Sequence, residues 1–183
     1  MINVDFVNSK NEYYDYCNKL FNTHQGPMHW LVKNKILEIP NIYHAVETEF
    51  NVGYEPLRPS YLDIFSYKDN KQFLGLIAKE LDLTYCAVSL HIQQYGKTVP
   101  PHVDRNTVFL KSLPNHVLQT KNYTDIRRFI YAVEDQKCGH FFGIDTELVE
   151  WKKGDFIEFP FYVSHATANS STIPRPLLLI VGI

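Results

Sequence analysis

The sequence predicts a mainly β fold with helices on its N-terminal side, and three observations predict it. From Thr84 onward the chain breaks into short runs rich in β-branched and aromatic residues, punctuated by Gly, Pro and Asn. Just before that point one stretch, Asn70 to Leu83, carries its apolar residues at helical spacing. The composition is 45% hydrophobic, 14% aromatic and 21% charged, which belongs to a globular chain and fits a β-rich body with an aromatic-lined pocket.

At 183 residues the chain reads as one domain, 1–183. About 1–83 form helical and irregular support, and 84–183 form the β core. Residues Asn11 to Phe21 mix aromatic and polar positions and are expected to form a short helix. In the clearer helix, Phe73, Leu74, Ile77, Leu81 and Leu83 fall near one face. Strands are expected at Tyr85 to Gln94, Arg127 to Glu134, His140 to Ile144, Asp155 to Phe159, Val163 to Asn169 and Pro176 to Val181. Turn chemistry separates them at Tyr95-Gly96, Cys138-Gly139, Trp151 to Asp155 and Asn169-Ser170-Ser171. Short strands at this spacing after a helical portion point to a double-stranded β-helix, the cupin-like jelly roll, with helices buttressing one sheet. The aromatics Tyr54, Tyr61, Phe65 and Tyr67 are expected to pack against that barrel. The polar stretch Arg105 to Asp125 contains Pro114 and is too long for a hairpin turn. It reads as a lid or substrate loop, with Asn106, Asn115 and His116 as its candidate substrate-facing residues.

Composition also excludes partners. A net charge of −2 gives no basic field to draw nucleic acid or an anionic membrane surface. No apolar run approaches the ~20 residues of a membrane helix. Met1-Ile2-Asn3-Val4-Asp5 lacks the basic and apolar regions of a signal peptide. Cys17, Cys86 and Cys138 are odd in number and irregularly spaced, as reduced thiols are. The expectation is a soluble, cytoplasmic protein.

The chemistry sits in two pieces, His102-Val103-Asp104 and then His165, with Arg175 ten positions later. Alternate residues of a strand share a face, so His102 and Asp104 can aim at one point, at a strand entrance after Pro100-Pro101. Two imidazoles and one carboxylate with open positions opposite are the ligand set of non-heme Fe(II) oxygenases. On the last strand Arg175, Leu177, Leu179 and Val181 share a face, leaving one guanidinium beside an apolar row. A buried cation of that kind needs an anion, and a carboxylate meets it with bidentate geometry. Ser89 and Gln93, on the strand leading to His102, are weaker pocket candidates. Cys138-x-His140 has the look of a metal pair but is more commonly a turn and a strand start. His24, His29, His44, His91 and His116 form no ligand set.

Taken together, Tyr95-Gly96, Pro101-His102-Val103-Asp104, Arg127 to Tyr131, Trp151 to Asp155, Ser164-His165 and Arg175 resemble the Fe(II)/2-oxoglutarate-dependent oxygenases. The likeness is to small phage-type members and to the aspartyl/asparaginyl β-hydroxylase and prolyl hydroxylase branches. It covers about Tyr85 to Ile183. The resemblance implies Fe(II) held by His102, Asp104 and His165, 2-oxoglutarate anchored by Arg175, and O2 as the oxidant. It implies hydroxylation of an unactivated C–H bond with release of succinate and CO2. In the aspartyl hydroxylase branch a second arginine helps hold the co-substrate, and Arg127 and Arg128 are the matching positions; they face opposite sides of a strand. Tyr131, on the face of Arg127, is a candidate hydrogen-bond donor to 2-oxoglutarate, with a core tyrosine standing as an equal alternative. That branch lacks a counterpart of Asp104, so its substrate does not carry over. A protein side chain, a free amino acid and a small metabolite all stand as substrates, with a nucleobase disfavoured by charge. Two other readings stand beside this one: a non-catalytic cupin-like binding protein, and a cupin metalloenzyme that does not use 2-oxoglutarate.

Overall fold

The computed structural model describes residues 31–34, 46–47 and 63–183, apart from 105 and 122. Its strands are β1 (Leu31–Asn34), β2 (Val46–Glu47), β3 (Asp63–Ser66), β4 (Cys86–Gln93), β5 (Lys97–His102) and β6 (Arg127–Ala132), then β7 (His140–Ile144), β8 (Glu147–Leu148), β9 (Asp155–Phe159), β10 (His165–Asn169) and β11 (Arg175–Gly182). Helix α1 (Lys71–Leu81) precedes β4, and α2 (Thr107–Ser112) and α3 (Asn115–Thr120) lie between β5 and β6. One antiparallel sheet has the order β1-β9-β6-β11-β4-β3-β2, the other β5-β10-β7-β8. From β4 onward the chain shuttles between them. The final strand returns between β4 and β6, and β10 returns between β5 and β7. That interleaving is the strand order of a double-stranded β-helix, the cupin-like jelly roll, as the sequence predicts.

The large sheet has two apolar faces because it is covered on both sides. Outward, Phe73, Ile77 and Leu81 of α1 bury against Val88, Leu90, Phe129, Tyr131, Phe156, Leu178 and Ile180. Asn70 starts the helix by accepting from the Phe73 amide at 3.0 Å, an N-cap worth about 1 kcal/mol. Asp82 ends it in a left-handed conformation, φ 54°. Close docking requires Gly182, where a Cβ would sit 2.4 Å from a Leu83 methyl. Inward, Ile130, Ala132, Ile157 and Leu177 meet Phe142, Ile144 and Val163 from the small-sheet side. The inner side of the large sheet therefore reads β6 Arg128-Ile130-Ala132 and β11 Arg175-Leu177-Leu179.

Four differences from the sequence reading have physical causes. The stretch 105–125 is not an open loop. Phe109, Leu110, Leu113 and Val117, on α2 and α3, bury with Ile126, Phe161 and Ile183. The segment Lys97–His102 is a strand despite two prolines, because β5 is an edge and pairs only with β10. Strand β10 starts at His165, since Val163 closes a turn onto the Pro160 carbonyl at 3.1 Å. Strands β1, β2, β3 and β8 were not anticipated, being only two to four residues long. The helix expected over Asn11 to Phe21 lies outside the described residues, as do His24, His29, His44 and the side chains of Tyr54, Tyr61 and Phe65. Tyr67 packs edge-on against Phe73 beneath α1, ring centroids 5.1 Å apart.

Candidate metal centre

His102 is the last residue of β5 and His165 the first of β10, and the two are directly opposed in the ladder. Their ring centroids are 4.3 Å apart. Asp104, just past the end of β5, swings its carboxylate between them. One ligand atom from each of His102, Asp104 and His165 lies within 4.8 Å of the others. Asp104 Oδ1 is 3.7 Å from His102 Nε2, and Oδ2 is 3.2 Å from His165 Nε2.

Backbone carbonyls set the tautomers. His102 Nδ1 is 2.8 Å from the Pro100 carbonyl and His165 Nδ1 is 3.2 Å from that of Val163. A carbonyl only accepts, so each Nδ1 carries the proton and each Nε2 turns its lone pair to the cluster. Burial lowers the pKa of His165, which keeps the ring neutral and able to coordinate. Burial works against the charge of Asp104, but the Arg128 guanidinium paired with it outweighs burial and holds the carboxyl well below its ordinary range. The result is two acceptors, His165 Nε2 and Asp104 Oδ2, facing each other across 3.2 Å. A cation between them resolves that conflict, and the donor set suits a divalent transition metal with open positions. The residues present fit the metal.

Between the two arginines of β6 the structure decides. Arg128 points inward with 1% exposure; it pairs with Asp104 and lies 5.2 Å from the Phe159 ring centroid. Arg127 points to the α1 side, where Glu158 takes its Nε at 2.6 Å and its Nη2 at 2.8 Å, and the Leu81 carbonyl takes Nη1. Tyr131 follows the same parity and stacks on Phe156 in the outer core, centroids 4.7 Å apart. Arg127 and Tyr131 are thus on the wrong face of the sheet for the expected co-substrate contacts.

Arg175 is buried at 3% exposure, at the far end of the interior. The Gln93 carboxamide oxygen accepts from its Nε at 3.0 Å and its Nη2 at 2.6 Å, which occupies one edge of the guanidinium. Among the described residues Nη1 has no partner. Burial lowers the arginine pKa to about 10, still charged at neutral pH. Asn106 is buried at the start of α2, with a left-handed φ of 52°. Asn115 and His116 are exposed on the first turn of α3. Cys138 is exposed while His140 is buried, so they form no metal pair.

The residue that sequence reasoning passed over is His91. On β4, Val88, Leu90 and Ile92 face α1, while Ser89, His91 and Gln93 face the barrel. Ser89 Oγ sits 2.9 Å from His91 Nε2. Burial, together with nearby Arg128 and Arg175, overcomes the pull of Asp104 and lowers the His91 pKa to about 4. The signal was present as a polar residue at every second position of an otherwise apolar strand. Such a row marks the strand face that turns into the barrel.

No family model matches the chain, and no curated protein does. Solved structures with some likeness include a protein of Photorhabdus luminescens, at 11% identity over 81% of this chain and 88% of that one, TM-score 0.45. A cupin protein of Bacteroides fragilis shows 19% identity over 58% and 72%, TM-score 0.37. A mutant oxalate decarboxylase of Bacillus subtilis shows 13% identity over 70% of this chain and 28% of that one, TM-score 0.41. The fold assignment rests on the strand order itself. No helix among the described residues is long and apolar enough to cross a membrane.

Proposed function

We propose that this protein is an Fe(II)- and 2-oxoglutarate-dependent dioxygenase that hydroxylates an unactivated C–H bond. The observation carrying this reading is the content of one barrel interior. Three ligand atoms converge at one end, and a buried arginine with an unspent Nη1 waits at the other. A metal site alone needs no such arginine, whereas a dicarboxylate reaching inward from the metal does.

When bound, the metal and 2-oxoglutarate together with O2 supply the oxidising chemistry, one O2 yielding succinate, CO2 and a hydroxylated product. The chain's residues do the positioning. His102, Asp104 and His165 would hold the metal, and three protein ligands would leave it positions open for the co-substrate. Arg128 neutralises and orients the Asp104 carboxylate. Arg175 offers its Nη1 edge to the distal carboxylate, because Gln93 already holds the Nε edge. Leu177, Leu179, Ile130 and Ala132 line the intervening wall and limit water there. A protein side chain, a free amino acid or a small metabolite is the substrate class, in keeping with a net charge of −2.

The test is succinate release from 2-oxoglutarate by iron-loaded protein, screened over those substrate classes with product mass as readout. Wild type should turn over, and His102→Ala or Asp104→Ala should fall to background while folding normally. Full activity in either variant would remove the metal assignment. Absence of both turnover and 2-oxoglutarate binding in the metal-loaded wild type would leave a binding protein or another metalloenzyme.

A further inference from the structure

We infer that substrate reaches the metal along the inner face of β4, in a cleft floored by Ser66, Ala87, Ser89 and His91, and that the part of it lying there is uncharged and hydrogen-bonding. This rests on the proposed metal centre and narrows the substrate class of the same site.

Burial along the strands marks the opening. Alternate residues of a strand take opposite faces, so a closed barrel covers the inward set on every strand. On the large sheet that holds for one half. Ile130, Ala132, Ile157 and Phe159 of β6 and β9 are buried against Phe142, Ile144 and Val163, and Arg128 is buried beside them. On β11, Leu179 and Val181 are half-buried. On β4, Ala87 is exposed and Ser89 and His91 are half-buried, although Cys86, Val88 and Leu90 on the opposite face are buried with α1. The cleft closes at its far end, where Gln93 and Arg175 are buried. The metal ligands grade in the same direction. The side chain of His165, on interior strand β10, is 7% exposed; that of His102, at the end of edge strand β5, is 14% exposed, and that of Asp104 beyond it 35%. Strand β5 follows β4 after residues 94–96 only, and Gln93 Nε2 donates to the Lys97 carbonyl at 3.2 Å. The uncovered strand of the large sheet and the edge of the small sheet therefore border one opening, with the metal ligands at its end.

The lining of this cleft carries hydrogen-bonding groups and no counter-charge. Ser66 of β3 opposes Ser89 in the ladder, which puts both on one face. Ser89 Oγ and His91 Nε2 are 2.9 Å apart, and among the described residues His91 Nδ1 has no hydrogen bond. Burial and the nearby Arg128 and Arg175 keep that ring neutral. A charged group seated over these residues would lose water without gaining an opposite charge. An amide or hydroxyl instead finds a partner in the imidazole, which donates or accepts at Nδ1 according to the tautomer that Ser89 selects. The substrate class is therefore an amide- or hydroxyl-bearing molecule or side chain whose oxidised C–H bond lies at the Asp104 end.

The experiment places a thiol on the cleft floor, Ser89→Cys, and compares it with Ala132→Cys, an inward position on the covered half of the same sheet. Both are made in Cys138→Ser protein, since Cys138 is exposed, and peptide mass locates the label. Methyl methanethiosulfonate should modify the Ser89→Cys thiol ~100-fold faster or more, because the covered position is reached only when the fold opens. Relative to native Cys138 in metal-free wild type, the Ser89→Cys thiol should favour this neutral reagent over its cationic trimethylammonium-ethyl and anionic sulfonatoethyl analogues by about tenfold, an uncharged cleft penalising both signs. Benzylthio modification of the Ser89→Cys thiol should slow azide binding to the Co(II)-loaded protein about tenfold, followed by stopped-flow absorbance, as a narrowed approach does. Equal labelling of the two positions, a preference for one charged reagent, or an unchanged azide rate after modification overturns the inference. Ala87→Cys, on the same face, replaces Ser89→Cys if that variant fails to fold. Failure of wild type to bind Co(II) would instead overturn the proposed metal centre.

Discussion

Acid should weaken the fold through His91, and the size of the effect follows from its surroundings. The ring is bonded to Ser89, and burial, with the charges of Arg128 and Arg175 nearby, lowers its pKa from 6.5 to about 4. In the unfolded chain it returns to about 6.5. The unfolded state therefore binds more protons between those values, so His91 contributes stability fully above about pH 6.5 and loses it as pH falls toward 4. The full difference corresponds to about 3 kcal/mol. Because the ring keeps some accessible area inside the barrel, water there softens the penalty, and about 1–3 kcal/mol is the working range. For a domain of this size that is a Tm decrease of roughly 2–12 °C between pH 7 and pH 4 attributable to this one residue. The perturbation is His91→Gln, which keeps a polar side chain facing Ser89 and cannot titrate. Melting of metal-free wild type and variant from pH 4 to 7.5, with the two curves subtracted, isolates the His91 contribution from the carboxylates and other histidines. The difference should be constant above pH 6.5 and shift steadily against wild type below it. A difference that stays constant over the whole range would mean that His91 titrates in the fold as it does in the unfolded chain, and the reasoning would be wrong.

Arg175→Ala should weaken 2-oxoglutarate binding by about 30-fold to several thousand-fold, corresponding to about 2–5 kcal/mol, while calorimetric metal affinity stays nearly unchanged; equal co-substrate affinity would move the anchor elsewhere. Arg175→Lys should fall between, keeping charge but losing the fork that Gln93 reads. Arg128→Met should destabilise the metal-free protein, because Asp104 loses its partner, by about 1–3 kcal/mol given that the aspartate is one-third exposed. A divalent metal then replaces the missing charge, so the metal-induced rise in Tm should be larger in Arg128→Met than in wild type, and a smaller rise would refute the pairing argument.

The site was legible because its parts obey simple rules. The H-x-D pair and the second histidine needed only adjacency of two strands, and the β10–β5 ladder supplies it by opposing His165 and His102. The inward face shared by Arg175, Leu177 and Leu179 followed from the period of two, and the structure keeps it, with Leu178 and Ile180 turned to α1. The bounds of β7 and β9 matched because glycine turns flank both, Gly139 at φ 89° and Gly154 at φ 92°. Arg127 and Arg128 were not separable, since period two fixes that they differ and not which one is inside. The answer came from Phe129 and Tyr131, apolar positions committed to the α1 face. Helices α2 and α3 escaped because Pro114 and scattered polar residues hid the apolar set Phe109, Leu110, Leu113 and Val117. His91 was set aside because it was sought as a metal ligand, whereas its place is in a polar wall.

The charges inside the barrel argue for a definite coupling between metal and co-substrate. Without a metal, Asp104 is paired with Arg128, while Arg175 keeps one unspent edge and burial holds His91 and His165 neutral. On the proposed reading a divalent cation enters at His102, Asp104 and His165 and leaves the interior with an excess of positive charge in a medium that solvates it poorly. A dianion spanning from the metal to Arg175 removes most of that excess, and it gains both its chelation to the metal and its contact with the guanidinium. A monoanion of the same length gains only part of this. Metal and 2-oxoglutarate should therefore tighten one another, and by linkage the factor must be the same in both directions. That reciprocity needs the two cationic ends to be held at fixed separation. Gln93 and Asn169 at one end, and the opposed histidines at the other, are rigid strand positions that hold it.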